Sequence, residues 1–158
     1  MKHEWQLYTN SEKETMDFGQ MVGKHAENDL FIALAGDLGT GKTHFVQGLA
    51  KGMGISGVVG SPTFTIMNYY DGKLPLKHFD FYRLRSLSEL YGIGWEEYSA
   101  GGVTVAEWAD MFPEAVPPEA LWIRLENTGE TGRRISVSWE DGAPETIIKE
   151  IQAYAFGH

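Results

Sequence analysis

Eight residues, Gly36-Asp37-Leu38-Gly39-Thr40-Gly41-Lys42-Thr43, carry the densest chemistry in this chain of 158 residues. They fit the P-loop pattern G-x-x-x-x-G-K-[ST]. Gly36, Gly39 and Gly41 lack a Cβ, so the backbone there can take positive φ and bring successive N–H groups close to a phosphate. Lys42 is the compact cation such a loop sets against β- and γ-phosphate oxygens, and the Thr43 hydroxyl is a ligand for Mg²⁺. The helix that follows points its positive end at the same anion. The expected cofactors are therefore a nucleoside triphosphate and Mg²⁺. A loop of this kind also needs a carboxylate for the metal and a group that orients the attacking water. Asp80 lies in the segment His78-Phe79-Asp80-Phe81-Tyr82-Arg83, where an ionised carboxylate needs a partner or a metal to offset its desolvation. Glu107 closes the run Val103-Thr104-Val105-Ala106, and open α/β sheets place ligands at the carboxyl ends of their strands. The plainer alternatives are a salt bridge from Asp80 to Arg83 or Arg85 and a strand-end cap at Glu107.

Three further groups are weighed beside these. Thr63 and Thr65 sit in a glycine-led loop that can order on a γ-phosphate as a switch segment does, or can simply start a strand. Arg133 and Arg134 follow Gly132 in a late turn, where a guanidinium meets a phosphate, stacks on a base or stays solvated. His25 continues the Phe18, Met21, Val22 series and reads as a core-edge residue rather than a ligand.

The elements that must hold these groups are legible as periodicities. Glu4 to Tyr8 alternates as a first strand, and Ser11-Glu12-Lys13-Glu14 is a capping box opening a helix to about Glu27. Leu30 to Ala35 reads as a buried strand feeding the glycine loop, and His44 to Met53 as the helix leaving it. Phe64 to Tyr70 and Leu76 to Tyr82, joined through Asp71-Gly72, predict an antiparallel hairpin. Ser86 to Glu89 is a second capping box, and a short helical piece follows from Ile93 to Tyr98. Val103 to Glu107 suits a central strand. Leu121 to Glu126 and Ile135 to Trp139 alternate as an antiparallel edge, and Pro144 to Phe156 is an amphipathic helix covering one face. The fold class is α/β: a P-loop NTPase-like mixed sheet with antiparallel additions, flanked by helices, as a single domain over residues 1–158.

Composition narrows the function classes. A net charge of −9 argues against a general nucleic-acid binder, because such proteins displace counterions with Lys and Arg. Any RNA is expected to be held by another protein. The absence of cysteine removes disulfides and thiol chemistry. No apolar leader and no long apolar run indicates export or a membrane span, so the expected compartment is the cytoplasm.

Taken together, the Ser11-x-x-Glu14 helix, Gly36 to Thr43, Ser61-Pro62-Thr63-Phe64-Thr65, Asp80-Phe81-Tyr82-Arg83 and Glu107-Trp108 resemble the TsaE family, also called YjeE, over essentially the whole chain. The resemblance implies a bacterial P-loop ATPase that works with TsaB and TsaD in making threonylcarbamoyladenosine (t6A) beside the anticodon of tRNA, with TsaD doing the carbamoyl transfer and tRNA contacted only indirectly. It implies ATP and Mg²⁺ as cofactors and assigns the loop residues Gly36, Asp37, Leu38, Gly39, Thr40, Gly41, Lys42 and Thr43 to the nucleotide and Thr43, Asp80 and Glu107 to the metal, with Asp80 and Glu107 also serving hydrolysis. Thr9 and Arg133 fall near positions that flank the base. Hydrolysis is expected to be slow alone and stimulated by partners. The competing readings are a small-molecule kinase, disfavoured by the lack of a lid insertion, a GTPase, disfavoured by the lack of Asn-Lys-x-Asp, and a nucleotide-dependent scaffold with little turnover.

Overall fold

The computed structural model describes residues 2–37, 39–56 and 67–157. The alternating start forms β1 (Lys2–Thr9). Ser11 then caps α1 (Glu12–Lys24), its Oγ accepting from Glu14 N at 3.1 Å, while the Glu14 carboxylate accepts from Asn10 N at 3.1 Å. The return arm of the capping box thus reaches one residue further back than the usual pattern. The helix stops at Lys24, short of Glu27, because His25 leaves the helical region at φ −104°. His25 lies at the core edge, as expected, with Nε2 at 3.5 Å from a Glu150 carboxylate oxygen.

The apolar run before the glycine loop is β2 (Leu30–Ala35), buried at every position, and α2 (Lys42–Gly52) follows the loop. The predicted hairpin is β3 (Met67–Tyr70) and β4 (Leu76–Asp80), paired antiparallel from Met67 with Phe79 to Tyr70 with Leu76. The predicted first residues of that hairpin, 64–66, lie outside the described residues, as does the Ser61 to Thr65 loop. A 3-10 turn (Phe81–Arg83) ends the β4 run because Asp80 caps it, accepting from Tyr82 N at 3.0 Å. Ser86 caps α3 (Leu87–Gly92), and α4 (Trp95–Tyr98) leads to β5 (Val103–Glu107). After two further 3-10 turns come β6 (Leu121–Asn127), β7 (Arg133–Glu140) and α5 (Glu145–Ala155).

The strands form one seven-stranded sheet in the order β1-β7-β6-β2-β5-β4-β3. β4, β5, β2 and β6 run parallel to their neighbours, and β1, β7 and β3 are added antiparallel. The sheet is mixed and flanked by helices, as its sequence pattern predicts. One placement differs. β6 and β7 are interior, since β6 pairs with β2 and β7 pairs with β1 along its whole length, so that β1 and β3 are the edges. The β1–β7 pairing joins residues at opposite ends of the chain, which local alternation cannot reveal.

Two apolar layers fill the space on either side. On one face Phe18, Val22, Phe45, Leu49, Ile147 and Ile151 from α1, α2 and α5 cover Ile32, Val105 and Ile123. On the other, Trp95 meets Phe31, Phe79 and Phe81 at edge-on angles with centroids 4.8 to 5.7 Å apart. α1 and α2 approach through glycines at matched spacing. A Cβ at Gly48 would lie 2.0 Å from Met16 O, at Gly52 2.0 Å from Gln20 O, at Gly19 2.3 Å from Phe45 O and at Gly23 2.1 Å from Leu49 O. The backbones are in contact, so the position of α2, and with it the loop at its head, is set by α1.

Gly48→Ala should therefore destabilise the fold despite the better helix propensity of alanine, worth about 1 kcal/mol. Forcing backbone apart typically costs about 1–3 kcal/mol, occasionally more. A denaturant midpoint lowered for Gly48→Ala in urea titration is the expected outcome; an unchanged or raised midpoint would show that the helices separate freely.

Candidate functional site

Three parallel strands end side by side. In the register, Leu34 of β2 pairs with Glu107 of β5, and Glu107 pairs with Asp80 of β4. The glycine loop leaves β2 at the same edge. Gly36, Gly39 and Gly41 have φ of 139°, 78° and 93°, the conformations that the motif requires of glycine. At Gly36 space is limiting as well, since a Cβ would lie 2.5 Å from Leu125 O. Within the loop, Thr40 Oγ1 donates to Asp37 O at 2.8 Å, and Asp37 itself is exposed. Leu38 lies outside the described residues. Gly41 is the N-cap of α2 and has no side chain to offer, so the first turn of α2 keeps no side-chain cap.

Lys42 is 6% exposed. Its Nζ donates to Gly36 O at 2.6 Å and stands 3.6 Å from the centroid of the Trp108 ring. Burial pushes the Lys42 ammonium below the usual lysine range, and the carboxylates nearby, Glu107 foremost, oppose that shift. Trp108 holds a left-handed backbone, φ 58°, and its ring lies against Tyr82 at 5.0 Å. A bulky residue in that region stores strain, and such outliers gather at functional sites. Sequence reasoning gave Trp108 and Tyr82 no role, and positive φ at a tryptophan has no signature in the sequence.

Glu107 is 5% exposed and receives a hydrogen bond from His78 Nε2 through its Oε2 atom. The strand-end cap proposed for it is not what engages it. Asp80 accepts from Tyr82 N and has Arg83 Nε at 3.5 Å, so the plain ion pair with Arg83 is present alongside the placement at the strand end. Burial raises the Asp80 carboxyl above its ordinary range; the Tyr82 N–H lowers it, Glu107 raises it, and Arg83 and His78 lower it. Gly41, Lys42, Thr43, Asp80, Glu107 and Trp108 line a common cleft of about 470 Å³. No group of three or more His, Asp or Glu that could by itself hold a metal ion occurs among the described residues, so a metal held here would have two carboxylates as its protein charges and take further oxygens from Thr43 and a ligand.

Arg133 and Thr9 come together as a register pair of β7 and β1. The Arg133 guanidinium is nearly buried and is spent on backbone oxygens, donating from Nε to Thr40 O at 2.8 Å, from Nη2 to Gly39 O at 3.2 Å and from Nη1 to Gly132 O at 2.7 Å. It pins the glycine loop to β7 while also lining the cleft. Thr9 is buried beneath it and shares a 2.8 Å hydrogen bond with Thr15 Oγ1. Arg134 points the other way, pairing with Glu126 at 2.9 Å on the opposite face. Thr63 and Thr65 lie outside the described residues.

Fold and site define a mixed α/β protein in which a parallel strand hands a glycine loop to a helix with a buried lysine, faced by carboxylates from the next two strands. The family model "Threonylcarbamoyl adenosine biosynthesis protein TsaE" matches residues 9–135, and the chain belongs to the TsaE family. It is 38% identical over 148 residues to the tRNA threonylcarbamoyladenosine biosynthesis protein TsaE of Bacillus subtilis, covering 92% of each chain. It is 39% identical to the TsaE of Treponema pallidum, covering 82% of this chain and 97% of that one. The crystal structure of Bacillus subtilis YdiB superposes with a TM-score of 0.81 at 32% identity, covering 98% of this chain and 97% of that one.

The burial of Asp80 has a measurable consequence for the metal-free, nucleotide-free protein. A carboxyl whose folded pKa is raised stabilises the fold fully below its unfolded value, and that contribution is lost as pH rises through the folded pKa. Asp80→Asn removes the charge and keeps an oxygen for the Tyr82 N–H. It should melt higher than the wild type at neutral pH, with the difference shrinking as pH falls below the carboxylate range. Melting curves from about pH 3, below the ordinary carboxylate pKa, to about pH 8 check this, and a lower neutral-pH melting temperature for the variant would show that the Arg83 pair outweighs desolvation.

Proposed function

We propose that this protein binds ATP with Mg²⁺ at the Gly36 to Thr43 P-loop and hydrolyses it as part of threonylcarbamoyladenosine formation on tRNA. The observation that carries the reading is the buried Lys42 ammonium, held at the head of α2 and faced by Glu107 and Asp80 from register-paired strand ends. A cation that the protein keeps out of water beside two carboxylates, at the end of a glycine loop that lines a cleft, fits a polyphosphate carrying a divalent metal. Bound Mg²⁺ and ATP supply the phosphoryl group and the charge that offsets its oxygens. Lys42 and the loop N–H groups would hold the β- and γ-phosphate oxygens, and the Thr43 hydroxyl, Asp80 and Glu107 would hold the metal. Glu107 would also orient the attacking water. Arg133 keeps the loop carbonyls turned to β7, so that the N–H groups face the cleft, and it flanks the nucleotide together with Thr9.

Family membership supports the pathway, and the names of the relatives, tRNA threonylcarbamoyladenosine biosynthesis proteins, support the substrate of that pathway. We extend this to partnership with TsaB and TsaD, which would hold the tRNA. The net charge of −9 supports contact through basic protein surfaces rather than with RNA directly. No described helix is long and apolar enough to cross a membrane, in keeping with a cytoplasmic site of action. The chain would act as a single ATPase domain.

Two variants separate binding from turnover. Lys42→Ala should weaken ATP binding by about 1.5–3 kcal/mol, the worth of hydrogen bonds to a charged group, read by calorimetry on the folded protein. Glu107→Gln should bind ATP yet lose about 10²-fold or more in single-turnover hydrolysis, as loss of a positioned polar group in a site does. Unchanged affinity in the first variant would sink the nucleotide site; unchanged hydrolysis in the second would remove Glu107 from the reaction.

The partner reading has its own test. Steady-state ATPase measured alone, with TsaB and TsaD, and with tRNA added is expected to rise with the partners and to lose that gain at higher salt, where exposed charge pairs are screened. A fast rate for the isolated chain, indifferent to the partners, would show a site complete by itself.

A further inference from the structure

His78 is wholly buried, with no exposed surface, and stands one step down β4 from Asp80 on the same face of the sheet. Its register partner is Val105, and its ring reaches diagonally across β5 to place Nε2 on Glu107 Oε2. Its other nitrogen, Nδ1, is buried and has no hydrogen-bond partner among the described residues. Leu76 and Val103 fill the next layer below with apolar side chains. A leucine at position 78 would continue that layer without burying any polar nitrogen, whereas an unpaired buried polar atom carries a desolvation cost. What offsets the cost is the contact that Nε2 makes. A carboxylate can only accept, so in this contact the hydrogen sits on Nε2.

Resting on the reading of Glu107 as the carboxylate that serves hydrolysis, we infer that His78 is a positioning residue for that carboxylate, fixing Oε2 from below so that Oε1 is the oxygen available to the cleft. A glutamate side chain has rotamer freedom, and a site needs that freedom removed before the reaction rather than during it. His78 cannot touch nucleotide or water in the cleft, because it has no exposed surface. It acts only through Glu107, as an outer imidazole orients an inner ligand.

Three substitutions test this. In His78→Gln the amide nitrogen reaches about as far as the ring Nε2, in His78→Asn it reaches only as far as Nδ1, and in His78→Leu the volume stays and the donor goes. His78→Leu should lose about 10- to 100-fold in kcat, the usual effect of removing an outer-shell partner. Its KM and calorimetric Kd for ATP should stay within a few-fold of wild type. His78→Gln should recover most of the rate and His78→Asn should not. In the Glu107→Gln background, His78→Leu should add little further loss, because the two act as one unit. Independently of activity, ring ¹⁵N shifts of the nucleotide-free protein should show a hydrogen on His78 Nε2 and should move in Glu107→Gln. Wild-type kcat in His78→Leu, a glutamine variant no better than the asparagine one, or a ring that carries no hydrogen on Nε2 would each overturn the inference. If His78→Leu does not fold, the glutamine and asparagine pair and the ring spectrum still decide it. Loss of rate in Glu107→Gln but not in His78→Leu would end the positioning role alone, whereas no loss in Glu107→Gln would end the reading on which it rests.

Discussion

The parallel register of β2, β5 and β4 is the constraint on which the site depends. It aligns Leu34, Glu107 and Asp80 at one edge of the sheet, so the loop leaving β2 and the two carboxylates occupy adjacent positions although the chain separates them widely. A slip of one residue in either ladder would turn Glu107 or Asp80 to the opposite face, where Trp95 and the aromatic cluster lie. The register is in turn locked from both faces, because alternate residues of these strands are committed to one core or the other.

Charge is concentrated where that edge meets the loop. Lys42, Glu107 and Asp80 are each largely removed from water, and Lys42 finds its nearest partners in a carbonyl and an aromatic face rather than in a carboxylate. Mutual attraction across the cleft offsets part of the desolvation, and the raised Asp80 carboxyl shows that part remains. A site held in this condition favours a ligand that brings both anionic oxygens and a cation. It costs stability in the free protein, which the dense packing of α1 on α2 through Gly19, Gly23, Gly48 and Gly52 helps to offset.

Support for the loop comes from two directions. α1 fixes the axis of α2 through backbone contact, and Arg133 reaches from β7 to the carbonyls of Gly39 and Thr40. The antiparallel strands added beyond β6 thereby contribute to the glycine loop itself, and Thr9, buried against Thr15, closes the layer beneath the Arg133 position.

The sequence by itself determined the strand, loop and helix around Lys42, the capping of α1 and α3, the antiparallel β3–β4 pair and the two acids at strand ends, because each of these is written in residue types a few positions apart. The glycines of the loop occupy positive φ that other residues resist, and the serine caps use their own side chains. Only the tertiary structure decided that β1 closes on β7, which makes β6 and β7 interior strands. It also decided that α1 and α2 touch through glycines, that Arg133 spends its donors on loop carbonyls, and that His78 and Trp108 belong to the site. Those outcomes depend on contacts between residues far apart in the chain, where hydrophobic period and local propensity carry no information about which partner is met.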